Sequence, residues 1–187
     1  NTSVKNLTGI NQILKTDIPF HKVDCTDLDE MKNIFEIYKD IFACIHFAAY
    51  KSVGDSVENP EKYYKNNIGS TEVLLKCIEK NKFKNLIFSS SCTVYGMPDA
   101  LPVNEDAPFK KAESPYGETK QECEILISKN LCNSISLRYV NPIGVHDSGL
   151  IGDFSSDNAN NLVPIVTEVA CGIRGKLVIN RNDYNTH

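Results

Sequence analysis

Tyr116 and Lys120 stand four residues apart in Ser114-Pro115-Tyr116-Gly117-Glu118-Thr119-Lys120. On a helix that spacing puts both side chains on one face. A phenol with an ordinary pKa of about 10 needs help to take a proton near neutrality. A cation about 5 Å away, at an effective dielectric of about 20, contributes roughly 3 kcal/mol and lowers the phenol pKa by about 2.4. A second positive charge beside the phenol would have to supply the rest. By itself the spacing fits a solvated helix pair more often than a catalytic one.

A serine run changes the balance. Asn85-Leu86-Ile87-Phe88-Ser89-Ser90-Ser91 reads as a buried strand that ends in hydroxyls, before the Tyr-Lys helix. In an open α/β sheet the carboxyl ends of the strands face the ligand crevice. Ser91 can therefore donate a hydrogen bond to a substrate oxygen beside Tyr116. The plainer alternative, that the serines only satisfy a turn, is equally compatible with the run on its own.

Elements that could position these groups alternate along the chain. Val4, Leu7, Ile10 and Ile13-Leu14 repeat at helical spacing, and His21 to Asp24 is a short strand candidate. Leu28, Met31, Ile34-Phe35 and Tyr38 mark a helix face, and Phe42 to Phe47 a buried strand. Residues 60–80 read as one long helix opened by Pro60. Residues 96–115 hold four prolines and read as an irregular loop, followed by a helix from Tyr116 to Lys129. A strand at Ser134 to Tyr139, a polar loop over 141–160, a helix near Leu162 to Cys171 and a strand at Lys176 to Ile179 complete the pattern. Strands alternating with helices imply an α/β fold with a doubly wound parallel sheet.

Composition narrows the function. A length of 187 residues suffices for one sizeable core, and a net charge of -4 gives no reason to expect nucleic acid or an anionic membrane as partner. No apolar run reaches membrane-spanning length. The seven cysteines are odd in number and form no C-x-x-C, which points to reduced thiols in a cytoplasmic protein. The four histidines stand apart from cysteines and carboxylates at ligand spacing, so no metal is expected.

Three blocks together match a known pattern. Ser89-Ser90-Ser91-Cys92-Thr93-Val94-Tyr95-Gly96, Pro115-Tyr116-Gly117-x-x-Lys120 and Leu137-Arg138-Tyr139-Val140-Asn141-Pro142 resemble the extended short-chain dehydrogenase/reductase family, and within it the UDP-glucose 4-epimerase branch. His46 to Val57, Tyr63-Tyr64-Lys65-Asn66-Asn67 and Asn160-Asn161-Leu162-Val163-Pro164 are similar to further blocks of that branch, in the same order.

The resemblance implies NAD as cofactor and a UDP-sugar as substrate. Asp24 and Cys25 would lie at the adenine. Phe47, Ala48, Ala49, Lys51 and Asn66 would line the dinucleotide, with Ser89 and Val140 close to the nicotinamide. Ser91 would hydrogen-bond the sugar, Tyr116 would be the acid/base, and Lys120 would hold the nicotinamide ribose and lower the tyrosine pKa. Asn141, Asn161, Leu162 and the strand Leu177, Val178, Ile179 and Asn180 would contact the UDP-sugar. The implied organisation is a Rossmann-like NAD-binding portion over 1–142 and the start of a small substrate domain over 143–187. The helices near 60–80 and 116–129 resemble the pair that forms a homodimer in the family.

The chain also departs from the family. No G-x-G-x-x-G occurs; the family places that fingerprint on a first strand and turn, here before Asn1, so the fold is expected to lack its first βαβ portion. Made alone, this stretch is expected to aggregate and not retain NAD; a soluble monomer with NAD after gel filtration would contradict that. Val140 stands where the family has a phenylalanine, Asn180 where it has an aromatic, Arg181 where it has a glycine, and 152–159 lacks an expected proline and glycine. Related 4,6-dehydratases carry an Asp-Glu pair where this chain has Cys92-Thr93, which favours epimerisation. The competing readings are another UDP-sugar epimerase of the extended family and a truncated, non-catalytic remnant.

Overall fold

The computed structural model describes residues 4–81, 83, 85–152 and 161–179. They divide into two compact units, Phe20–Val140 and a second made of Asn1–Pro19 with Asn141–His187.

The larger unit is built on a parallel sheet of β1 (Ala43–His46), β2 (Asn85–Ser91) and β3 (Asn133–Tyr139) in that order. Cys44 pairs with Leu86 and Leu86 with Ser134; Ser91 pairs with Tyr139. Side chains alternate across a strand. Leu86, Phe88 and Ser90 of β2 therefore point together to one face, and all three are buried. Phe35 of α2 (Leu28–Ile37), Leu74, Leu75, Cys77 and Ile78 of α5 (Gly69–Asn81), and Cys123 and Ile127 of α6 (Pro115–Ser128) cover that face. Each such side chain, fully buried, stabilises by about 1.5–3 kcal/mol. On the opposite face Ile45, Ile87 and Ile135 share one row of the ladder, and Ile45 and Ile135 are exposed.

Local chemistry sets the helix starts. Asp27 caps α2 by accepting from Asp29 N and Glu30 N. Ser52 caps α3 (Val53–Glu58) through Asp55 N. Ser114 caps α6 through Gly117 N, with Pro115 in the first turn. The long helix expected over 60–80 divides into α4 (Pro60–Tyr63), a π turn (Tyr64–Ile68) and α5. Apolar periodicity does not reveal such a widened turn, which adds one residue to the hydrogen-bonded ring.

In the smaller unit α1 (Lys5–Leu14) bears the expected apolar stripe, and Lys15 ends it at φ 53. The Asn6 side chain brackets Gly152, donating to its carbonyl at 2.9 Å and accepting its N–H at 3.0 Å. α7 spans Leu162–Ala170.

Two expected strands are absent. Residues 21–24 and 176–179 carry no regular structure. A strand exists only in a ladder, and among the described residues no strand pairs with either segment. The His21 ring instead bonds the Tyr38 hydroxyl at 2.7 Å. The Asp24 carboxylate turns onto Thr26.

Candidate active site

The carboxyl ends of β1, β2 and β3 lie at one edge of the parallel sheet and carry His46-Phe47, Ser89 to Ser91 and Tyr139-Val140. β2 is joined to α6 there, residue by residue. Lys120 Nζ donates to the Ser89 carbonyl at 2.6 Å. The Ser91 hydroxyl lies beside the Tyr116 phenol, near enough to lower its pKa. Ser91 Oγ accepts the Thr93 N–H at 3.3 Å. Between them, Ser90 Oγ donates to Glu124. Tyr116, Lys120 and Glu124 are spaced at i, i+4 and i+8 along α6 and share its inner face.

Burial controls the electrostatics. Lys120 is 4% exposed, and its ammonium lies 4.8 Å from the Phe88 ring centroid and 5.8 Å from that of Tyr116. Desolvation pulls its pKa down to about 8, against the charges of Cys123 and Glu124, which pull it up. Desolvation pushes the Tyr116 phenol above its ordinary value; the Ser91 hydroxyl lowers it and Cys92 raises it. The net direction is opposite to the lowering expected of Lys120, because burial disfavours the phenolate more than its neighbours favour it. His46 is buried, its Nε2 lies 3.2 Å from Thr71 Oγ1, and desolvation followed by the Lys120 charge pulls it down to about 4.

The π turn positions the loop after β1. Asn67 is 2% exposed. Its side chain accepts the Tyr50 N–H at 2.8 Å and donates to the Tyr50 carbonyl at 3.1 Å and to Thr119 Oγ1 at 3.2 Å. Asn66 donates to the same Asn67 oxygen at 3.0 Å. The loop that bears Lys51 is thus tied to the helix that bears Tyr116 and Lys120.

Of the residues expected at the cofactor, Asp24, Cys25, Phe47, Ala48, Ala49, Lys51, Asn66, Ser89, Tyr116, Lys120 and Val140 all lie in the larger unit. Phe47, Ala48, Lys51 and Val140 are exposed, and Cys25 is half-buried. The Asp24 carboxyl is held below its usual range, chiefly by the Thr26 backbone N–H and then its hydroxyl. Asn141, Asn161, Leu162, Leu177, Val178 and Ile179 belong to the smaller unit and are exposed. Asn180 lies outside the described residues.

Sequence reasoning missed His46, Asn67, Glu124 and Arg138. Glu124 carried a usable signal, since it repeats the four-residue step from Tyr116 to Lys120.

The profile of the NAD dependent epimerase/dehydratase family matches residues 2–170. The UDP-glucose 4-epimerase of Dictyostelium discoideum is 45% identical over 192 residues, covering 100% of this chain and 55% of that protein. The crystal structure of UDP-glucose 4-epimerase from Bifidobacterium longum in complex with NAD+ and UDP matches with a TM-score of 0.93 at 38% identity, over 100% of this chain and 57% of its own. The UDP-Glc/GlcNAc 4-epimerase from Campylobacter jejuni matches with a TM-score of 0.74 at 31% identity, over 95% of this chain and 54% of its own. The chain spans about half the length of these proteins. With this coverage, and with the strand-end serines and the Tyr-Lys helix in place, the chain belongs to the NAD dependent epimerase/dehydratase family.

Proposed function

We propose that this chain is the catalytic portion of an NAD-dependent UDP-glucose 4-epimerase that interconverts UDP-glucose and UDP-galactose. The observation that carries the reading is the bond of Lys120 to the Ser89 carbonyl across β2 and α6, with Ser91 of the same strand end beside Tyr116 of the same helix face. The similar proteins that bear this activity in their names, and the NAD and UDP in the Bifidobacterium longum complex, support it.

The residues present fit part of a dinucleotide. A buried ammonium carries three donors; Lys120 spends one on Ser89, and the others suit the hydroxyls of the nicotinamide ribose. Asp24 and Cys25 would serve the adenine end, and Phe47, Ala48, Ala49, Lys51 and Asn66 the span between. Ser89 and Val140 would border the nicotinamide. Bound NAD supplies a hydride acceptor and donor for the sugar C4, and its positive ring is the second charge that the raised Tyr116 pKa requires.

The chain's own groups then move the proton. Tyr116 takes it from the 4-hydroxyl as the C4 hydride leaves, and Ser91 steadies the same oxygen. Inversion at C4 would require the oxidised sugar to present its other face to the same cofactor, and Tyr116 would then return the proton. Asn141, Asn161, Leu162, Leu177, Val178, Ile179 and Asn180 would hold the UDP-sugar. Cys92 and Thr93 offer no carboxylate for dehydration. A homodimer through the helices near 60–80 and 116–129, and a cytoplasmic location consistent with seven free cysteines, complete the proposal.

The UDP-Glc/GlcNAc enzyme among the similar structures favours one second reading, an epimerase that also takes N-acetylated UDP-sugars. The test is UDP-galactose conversion by the full-length protein and its Tyr116→Phe variant. Loss of conversion in the variant is expected; conversion that survives it would refute the assigned role.

A further inference from the structure

Beneath the site lies a buried ion pair that the proposed chemistry does not use. Glu124 and Arg138 have side chains 9% and 19% exposed. Arg138 Nη2 lies 2.9 Å from Glu124 Oε2, and Arg138 Nε bonds both carboxylate oxygens at 3.1 and 3.3 Å. Arg138 Nη1 donates to the Tyr95 hydroxyl at 3.1 Å and the Glu105 carbonyl at 2.9 Å. The guanidinium also contacts two rings, with centroids 4.9 Å away at Tyr95 and 5.2 Å at Phe109. One guanidinium thus gathers α6, the 3-10 turn after Ser91 and the loop beyond it onto β3.

Glu124 spends its remaining capacity on Ser90. Ser90 stands between Ser89, whose carbonyl anchors Lys120, and Ser91, whose hydroxyl lies beside Tyr116. A shift of Glu124 along α6 would therefore move both partners together. A bidentate, charge-assisted pair resists such a shift better than a neutral hydrogen bond. Packing alone needs no charge here: apolar replacement of a buried ion pair is often neutral or stabilising.

We propose that Glu124, held by Arg138, is a positioning residue for the Tyr116–Lys120 pair: it sets the height of the Ser89-Ser90-Ser91 strand end against α6 and is the fixed counter-charge one turn below Lys120. This rests on the epimerase reading for its kinetic consequences only. The groups facing Lys120 are Cys123, Glu124 and Tyr116 on α6, His46 on β1, and Phe88 with the Ser89 carbonyl on β2. Of these, Glu124 is the carboxylate, and its charge favours the protonated amine.

The test uses the full-length protein with Glu124→Gln, Glu124→Asp, and Glu124→Gln combined with Arg138→Met. In Glu124→Gln, kcat for UDP-galactose should fall by about tenfold with KM little changed. The Lys120 pKa, followed by NMR on 13C-labelled lysine, and the alkaline limb of kcat should move to lower pH by about half a pH unit. Glu124→Asp should keep the limb in place. The double variant should regain the thermal midpoint that the unpaired Arg138 costs, yet retain the kcat loss and the displaced Lys120 titration. Recovery of kcat and titration together with the midpoint would reduce the pair to a structural role and overturn the proposal. So would an unmoved Lys120 in Glu124→Gln. If Glu124→Gln does not fold, comparing the double variant with the unmodified protein decides. A protein that never converts UDP-galactose sinks the epimerase reading instead, and the NMR titration still judges Glu124.

Discussion

Lys120 Nζ lies 2.6 Å from the Ser89 carbonyl oxygen, and the residue is 4% exposed. The bond fixes the charge but does not offset its desolvation, since the pKa falls from 10.5 to about 8. Keeping this cation buried costs stability.

Replacing it should expose that cost. Between the folded value of about 8 and the ordinary 10.5, the unfolded chain binds more protons, so stability rises with pH across that window. Below pH 8 the full cost, about 3 kcal/mol, is in force. Lys120→Met in the full-length protein should therefore stabilise it at pH 7 by about 2 kcal/mol, after the lost bond to Ser89, while lowering turnover by at least about a hundredfold. Urea unfolding at pH 7 and at pH 10.5 checks the first part. A gain that is equal at both values would show that the buried charge is not its source.

His46 carries the same sign at lower pH. Its folded pKa, about 4, lies below the ordinary 6.5. The unfolded chain again binds more protons between the two, so the stability of the neutral imidazole is whole above 6.5 and is lost as pH falls towards 4. His46→Gln keeps a donor towards Thr71 and should remove up to about 3 kcal/mol of the difference between pH 7 and pH 4. Urea midpoints of both proteins across that range measure it; parallel curves would rule His46 out as the acid-sensitive group.

Which features were legible in the sequence follows from the range of the forces involved. The α6 face was readable because Tyr116 and Lys120 are helix neighbours, and its start because Ser114 and Pro115 act within one turn. The strand ending in serines was readable from its apolar run. Residues 21–24 and 176–179 were misjudged because a strand is a property of a ladder and not of its own residues. Asn67 escaped notice because its inward aim depends on a π turn, and its partners Tyr50 and Thr119 lie 17 and 52 residues away. Glu124 and Arg138 lie 14 residues apart on a helix and a strand, and only tertiary packing makes them a pair.

The turn after Ser91 has little tolerance at Gly96. Its φ is +57, and a Cβ there would sit 2.4 Å from the Lys111 carbonyl oxygen. Gly96→Ala should cost about 1–3 kcal/mol through the left-handed backbone and the displaced loop. Because Tyr95 precedes it and holds Arg138, activity should fall as well. Unfolding midpoints and kcat measured together check this; an unchanged midpoint would mean that the 110–111 backbone moves aside freely.

Asn67 makes the last prediction, and its two halves separate stability from cofactor hold. The carboxamide presents an oxygen to Tyr50 N and a nitrogen to Tyr50 O, closing a two-bond bridge like one rung of a ladder. The nitrogen also reaches Thr119 Oγ1, whose own proton goes to the Tyr116 carbonyl at 2.8 Å. Asn67→Asp preserves shape but turns the donor into an acceptor, facing two oxygens in a buried site. That should cost about 3 kcal/mol or more, or force the new carboxyl to stay protonated. Asn67→Ala avoids the buried charge and should cost about 1–3 kcal/mol while freeing the Tyr50-Lys51 loop. If that loop helps to hold NAD, as the epimerase reading has it, Asn67→Ala should emerge from gel filtration with less NAD per protein than Gly96→Ala of similar stability. Equal NAD content in the two variants would show that the bridge supports the fold but not the cofactor loop.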